Sequence, residues 1–167
     1  MKQLLLVPLL LLTLFTSEAA VRLSPRATVT VLTCSPGTEL YSVFGHSAIR
    51  VTDPGRFDVV FNYGTFEFSE DFYLKFARGK LNYRLSRSSF SDFQYEYIVT
   101  GRSIDEQVLD LTLEQRQKIF DFLEENHLPE NRYYLYDFFY DNCATRIRDI
   151  IEEEFATELV PVDNYQT

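Results

Sequence analysis

Residues 46–66, HSAIRVTDPGRFDVVFNYGTF, constrain the fold more than any other stretch of the chain. Two runs rich in Val, Ile and aromatics, His46 to Val51 and Asp58 to Phe66, flank the segment TDPGR, where Pro54 and Gly55 favour a tight reversal. The pattern predicts an antiparallel hairpin. With its turn near Asp53 to Arg56, His46 and either Asn62 or Tyr63 come to the same end of the pair, while the alternation alone leaves the register open.

Further strands are predicted around this hairpin. ATVTVLTC, Ala27 to Cys34, alternates β-branched and small residues and is broken by Pro36 and Gly37. KLNYRLS (80–86), FQYEYIV (93–99) and SIDEQVLDL (103–111) also read as strands. Between them SEDFYLKFARG has the outline of a short helix, with Ser69 as N-cap, Gly79 at the exit, and Phe72, Tyr73 and Phe76 on one face. The period becomes helical at LTLEQRQKIFDFLEENHL (111–128), where Thr112 and Gln115 form a capping-box pattern ahead of the stripe Leu113, Ile119, Phe120 and Leu123. PENRYYLYDFFY reads as an aromatic connection. A last helix follows from about Asn142 to Glu153, with Ala144, Ile147, Ile150 and Ile151 on one face. Sheet in the middle and a helix pair at the end predict an α+β domain, an antiparallel sheet packed with helices and without internal repeats.

At 167 residues and 46% hydrophobic content the chain is long enough for one core. A net charge of −9, from 16 basic and 25 acidic residues with no long basic run, argues against nucleic acid as a partner. The first twenty residues, MKQLLLVPLLLLTLFTSEAA, place Lys2 before an apolar run from Leu4 to Phe15. That run is shorter than the roughly 20 residues that cross a bilayer, and small residues follow it. Residues 1–20 therefore read as a secretory signal and 21–167 as a single exported domain. Export permits a disulfide between the two cysteines, Cys34 and Cys143, as one structural alternative.

Cys143 follows a candidate N-cap, Asn142, so it falls in the first turn of the last helix. Free backbone N–H groups and the helix dipole there favour a thiolate, and the same groups could hold an oxyanion. A nucleophilic thiolate needs a base. Of the two histidines, His127 lies at a solvated helix exit, whereas His46 opens a strand directly after Gly45. A third polar group that orients the imidazole completes such a constellation, and Asn62 is the candidate, with Tyr63 as competitor. Zinc is disfavoured, because positions 34, 46, 127 and 143 match no ligand spacing, and no cofactor is expected.

The blocks LTCSPGTELYSVFGHSAIRV, FNYGTFEF, KFARGKLNY and YDFFYDNCATRIRDI, in that order from about Ala27 to Ile151, resemble the N-terminal periplasmic domain of Lnb-type proteins, the lipoprotein N-acyltransferase family of Bacteroidota. The resemblance implies a circularly permuted papain-like core of the NlpC/P60 and lecithin:retinol acyltransferase kind, with histidine early on the sheet and catalytic cysteine late at a helix start. It implies a periplasmic enzyme at the outer face of the inner membrane. Cys143 would take an acyl chain from a phospholipid as a thioester and pass it to the α-amine of a diacylated lipoprotein, with His46 as general base. Asn62 as the orienting residue follows the wider superfamily pattern. Members of the family continue into transmembrane segments, and the sequence ends at VPVDNYQT, so the periplasmic part alone is expected. Two alternatives stand beside this reading: a peptidoglycan amidase or peptidase on the same scaffold, and a non-catalytic domain joined by a Cys34–Cys143 disulfide. The aromatics of RYYLYDFFY and DFYLKF read as core, with an acyl-chain groove as the other use for them.

Overall fold

A computed structural model describes residues 21–66, 72–78 and 81–155. The expected signal segment lies outside the described residues, as do the expected helix boundaries Ser69 and Gly79. Six strands form one sheet in the order β5-β1-β2-β3-β4-β6, and every neighbouring pair is antiparallel. The strands are β1 Thr28–Cys34, β2 His46–Asp53, β3 Phe57–Phe66, β4 Asn82–Ser89, β5 Ile104–Val108 and β6 Tyr133–Leu135. The helices are α1 Phe72–Ala77, α2 Phe90–Val99, α3 Leu113–His127 and α4 Cys143–Phe155. The domain is α+β.

The expected hairpin is β2–β3. Arg56 N–H donates to the Asp53 carbonyl at 2.9 Å, with Pro54 second and Gly55 third in the turn at φ 82°, the type II pattern in which a left-handed third residue favours glycine. Ile49 faces Phe61 and Val51 faces Val59, which settles the register. Because side chains alternate along a strand, Val29, Ile49, Val51, Val59 and Phe61 share one face. They meet Ile119, Phe120 and Leu123 of α3 and Ile147 and Ile150 of α4 in the larger core. Leu32, Cys34, Ala48 and Val60 occupy the other face and meet Phe93 and Tyr97 of α2. Each large side chain so buried contributes about 1.5–3 kcal/mol. Burial on both faces holds the sheet, and hence the side chains at its ends, in one register.

Four sequence expectations are corrected. FQYEYIV is not a strand but most of α2. The aromatics at 93, 95 and 97 suggested a period of two, yet Phe93 and Tyr97, four apart, are buried while Tyr95 is exposed. The local cause is a cap: the Ser89 hydroxyl accepts from Asp92 N–H at 3.1 Å and donates to the Asp92 carboxylate at 2.6 Å. In the aromatic connection, Tyr133–Leu135 forms β6 on the edge of β4, with Tyr83 opposite Tyr134. The α3 cap forms as expected, with Thr112 and Gln115 bonded reciprocally, but Leu113 is exposed and Gln117 takes a buried place on that helix. Gln117 accepts from Leu23 N–H at 2.8 Å, which ties the start of the described chain to α3. Ala144 is likewise exposed rather than part of the α4 stripe.

Candidate active site

The end of β1, the start of β2, the second half of β3 and the first turn of α4 meet at one end of the sheet. Cys34 and His46 are direct cross-strand partners there. Gly45, just before His46, has φ 75°, and a Cβ on it would lie 2.7 Å from the Cys34 carbonyl oxygen, so only glycine lets the chain enter β2 this close to β1.

A bulge in β3 supplies the partner of His46. Asn62 faces Ser86 and Thr65 faces Arg84, so three steps on β3 match two on β4 and one extra residue is accommodated. The Asn62 carboxamide oxygen lies 2.8 Å from His46 Nε2 and accepts from Gly64 N–H at 2.6 Å. An oxygen that already accepts a backbone N–H calls for a donor at Nε2. That assigns the ring proton to Nε2 and leaves Nδ1 with its lone pair. Gly64 has no room for a side chain: a Cβ would sit 2.9 Å from Nε2 and 3.0 Å from Nδ1 of His46. Tyr63, the competing candidate, is buried in the core with Arg146 beside its ring, and its carbonyl accepts the Tyr134 hydroxyl.

Cys143 is the first residue of α4, as its neighbours predict. The Asn142 carboxamide oxygen accepts from Ala144 N–H at 2.9 Å and Thr145 N–H at 3.1 Å, and Asn142 N–H donates to the Thr145 hydroxyl at 2.8 Å. The cap therefore occupies two of the donors expected to serve an oxyanion. Asp141 grips Arg146 through two oxygens at 2.6 and 2.8 Å, and the Arg146 guanidinium stands 3.9 Å over the Tyr134 ring, tying this turn to β6.

Cys143 and His46 share a hydrogen bond. Burial by itself would raise the Cys143 pKa, but that bond, the imidazolium charge, and N–H donation from Ser47 and Ala144 outweigh it and hold the thiol below its ordinary range. Burial by itself would lower the His46 pKa, and the bond and charge of Cys143 together with Asn62 reverse this, so it is raised. Both shifts favour a thiolate–imidazolium pair. Cys34 behaves oppositely, since burial pushes its pKa up to about 11 against a hydrogen bond from Tyr97. Both cysteines are free thiols, so the disulfide alternative has no counterpart in this structure. His127 ends α3 in the company of Glu124 and Arg132, and burial lowers its pKa; it does not line the cavity over Cys143.

These shifts predict a labelling pattern. Iodoacetamide should modify Cys143 at pH values well below the ordinary thiol pKa of about 8.5, with the rate falling only as pH drops through the lowered value. Cys34 should stay unlabelled in the folded protein. Intact-mass analysis across pH checks this, and equal labelling of both thiols would contradict it.

A cavity of about 460 Å³ opens over the pair. Cys143, His46 and Asn62 line it, as do Phe44 and Phe138 at its rim and Tyr97 and Arg102 on another wall. Phe44 is 71% exposed and its ring centroid lies 4.7 Å from that of Phe138; next along the chain, Phe139 is 75% and Tyr140 82% exposed. The aromatics expected to be core thus divide, with Tyr134 buried and Phe138 to Tyr140 facing outward. Asp137 shapes that loop by accepting from Phe139 and Tyr140 N–H at 2.8 and 2.9 Å. Sequence reasoning missed Gly64, Tyr134 and Arg102; the only local signal was a glycine inside a strand pattern at Gly64.

No described helix is long and apolar enough to cross a membrane. No curated protein and no solved structure matches the chain significantly. The family model of the Lnb N-terminal periplasmic domain matches residues 16–167, which takes in every site residue described above. With nearly the whole chain so matched, this protein belongs to the Lnb N-terminal periplasmic domain family.

Proposed function

We propose that the domain is a periplasmic cysteine-dependent acyltransferase that moves an acyl chain from a phospholipid to the N-terminal amine of diacylated lipoproteins. The observation that carries this reading is the hydrogen-bonded line Cys143–His46–Asn62, which ends in a cavity with an aromatic rim. Histidine early on the sheet and cysteine late at a helix start is also the order of a circularly permuted papain-like fold.

In the mechanism, the Cys143 thiolate attacks the ester carbonyl of the donor, and the C–S bond forms as the carbonyl oxygen takes up negative charge. The Cys143 N–H, first in the helix, is the donor at hand for that oxyanion, because the Asn142 cap occupies those of Ala144 and Thr145. Collapse breaks the C–O bond, and the imidazolium of His46 delivers its Nδ1 proton to the departing alkoxide, releasing lysophospholipid. The acceptor amine then attacks the thioester while neutral His46 takes its proton; collapse forms the amide and expels the thiolate. Asn62 holds the ring through Nε2 in both halves. The exposed Phe139 and Tyr140, next in sequence to the cavity-lining Phe138, suit the interfacial region of a bilayer and support a reading in which the cavity opens toward lipid.

The test is an acyl adduct. Incubation with phosphatidylethanolamine or phosphatidylglycerol vesicles should add one fatty-acyl mass to Cys143, removable by hydroxylamine, and Cys143→Ala should abolish it. A diacylated lipopeptide offered next should gain the acyl chain on its amine. Loss of the adduct to water alone, with cleavage of an offered muropeptide, would instead identify a hydrolase.

A further inference from the structure

Among the described residues that line the cavity, Arg102 is the only permanent cation. It follows α2, and its direction is set by its neighbours. Its backbone N–H donates to the Tyr97 carbonyl at 2.8 Å, its Nε–H donates to the Ser35 carbonyl at 2.8 Å, and the guanidinium stands 4.5 Å over the Tyr97 ring. The chain also closes on it at Gly37, where a Cβ would lie 3.4 Å from Nε. These contacts engage one of five guanidinium N–H donors. Among the described residues no carboxylate forms an ion pair with it, in contrast to Arg50, Arg56, Arg87, Arg146 and Arg148. Glu96, the one carboxylate of the lining, is exposed on α2.

A guanidinium held by its Nε and by stacking, with its outer N–H groups uncommitted inside a substrate-sized cavity, is built to receive an oxyanion through two parallel hydrogen bonds. The chain carries a net charge of −9, so an anionic ligand gains little from the protein's overall field and depends on a local cation. The same cavity has an aromatic rim, which a polar peptide ligand would leave unused and an acyl chain would cover. A fixed cation and an apolar rim in one cavity match the two ends of an anionic amphiphile.

We infer that Arg102 is an anion subsite of this cavity and holds the phosphodiester of a glycerophospholipid while the acyl chain lies along the Phe44–Phe138 rim. This rests on the acyltransferase reading and adds to it the part of the donor that is recognised away from the reacting carbonyl.

Binding tests it without turnover. Protein carrying Cys143→Ala is titrated with dihexanoylphosphatidylglycerol, with phosphate-free dihexanoylglycerol, with inorganic phosphate and with a muropeptide. The phospholipid should bind roughly tenfold or more tightly than dihexanoylglycerol, as expected for a charge-assisted hydrogen-bonded pair. Arg102→Gln in that background should erase the difference, and Arg102→Lys should keep part of it. Binding of dihexanoylglycerol by the Gln variant reports that the cavity is intact. Equal affinity for the two lipids before substitution, or a preference that survives Arg102→Gln, overturns the subsite. Inorganic phosphate as tight as the phospholipid, or the muropeptide bound best and lost with Arg102→Gln, overturns the lipid assignment. Arg102-dependent phospholipid binding without any acyl adduct on intact Cys143 would retain the subsite and reject the transferase.

Discussion

His46→Ala is expected to slow acyl-adduct formation at Cys143 by about 10³-fold or more at pH 7, because the imidazole acts twice. As a charge and hydrogen-bond partner it keeps the buried thiol below its ordinary pKa; without it, burial dominates and raises that pKa. Even at the ordinary value of about 8.5, only about 3% of the thiol would be thiolate at pH 7. In the proposed mechanism it also protonates the leaving alkoxide as an acid, a contribution typically of about 10²–10⁴-fold. Two readouts check the result. Mass spectrometry gives the adduct rate, and iodoacetamide labelling should show the Cys143 midpoint moving upward in pH. A variant that keeps its adduct rate and its labelling profile would remove His46 from the mechanism.

Gly64→Ala is expected to cost about 10²-fold in the same rate while leaving the fold standing, through a different cause. The Gly64 backbone is not in the left-handed region, so alanine can adopt it. The added methyl, however, would lie 2.9 Å from Nε2 and 3.0 Å from Nδ1 of His46, well inside the roughly 3.5–4.0 Å at which nonbonded heavy atoms settle. The imidazole, whose orientation depends on one bond to Asn62 and one to Cys143, must swing away or the bulge must open. A displacement near 1 Å in a reacting group is enough for a loss of that size. Thermal melting should show a cooperative transition like that of the unsubstituted protein, while adduct formation and low-pH labelling of Cys143 both fall. Unchanged rate and labelling would mean that the bulge does not position the imidazole.

Much of this site was legible in the residues, for local reasons. The β2–β3 hairpin follows from Pro54 and Gly55 between two β-prone runs. The placement of Cys143 at a helix start follows from Asn142, whose side chain can satisfy the helix's own N–H groups. The α3 capping box is equally local. The failures have local causes too. FQYEYIV reads as a strand because its aromatics recur at every second position, whereas the Ser89–Asp92 cap starts a helix and the i,i+4 pair Phe93 and Tyr97 is the one that packs. In RYYLYDFFY uniform aromaticity hid both a three-residue edge strand and an outward-facing loop, because composition cannot say which ring meets a neighbour.

By itself the chain's order of residues determined that a histidine would open a strand, that an asparagine would lie on the next strand toward the same end, and that a cysteine would begin a helix. Each of those depends on capping, turn chemistry and side-chain period, which act over a few positions. Tertiary structure alone decided that α4 docks with its first turn against Ser47 and His46, and that one extra residue in β3 presents Asn62 to Nε2 while Tyr63 stays in the core. It also decided that Arg102 reaches the same cavity. The physical reason is that these contacts join positions 16 to about 100 residues apart, and their geometry is set by how two sheet faces bury their apolar side chains, a constraint that no short window of sequence contains.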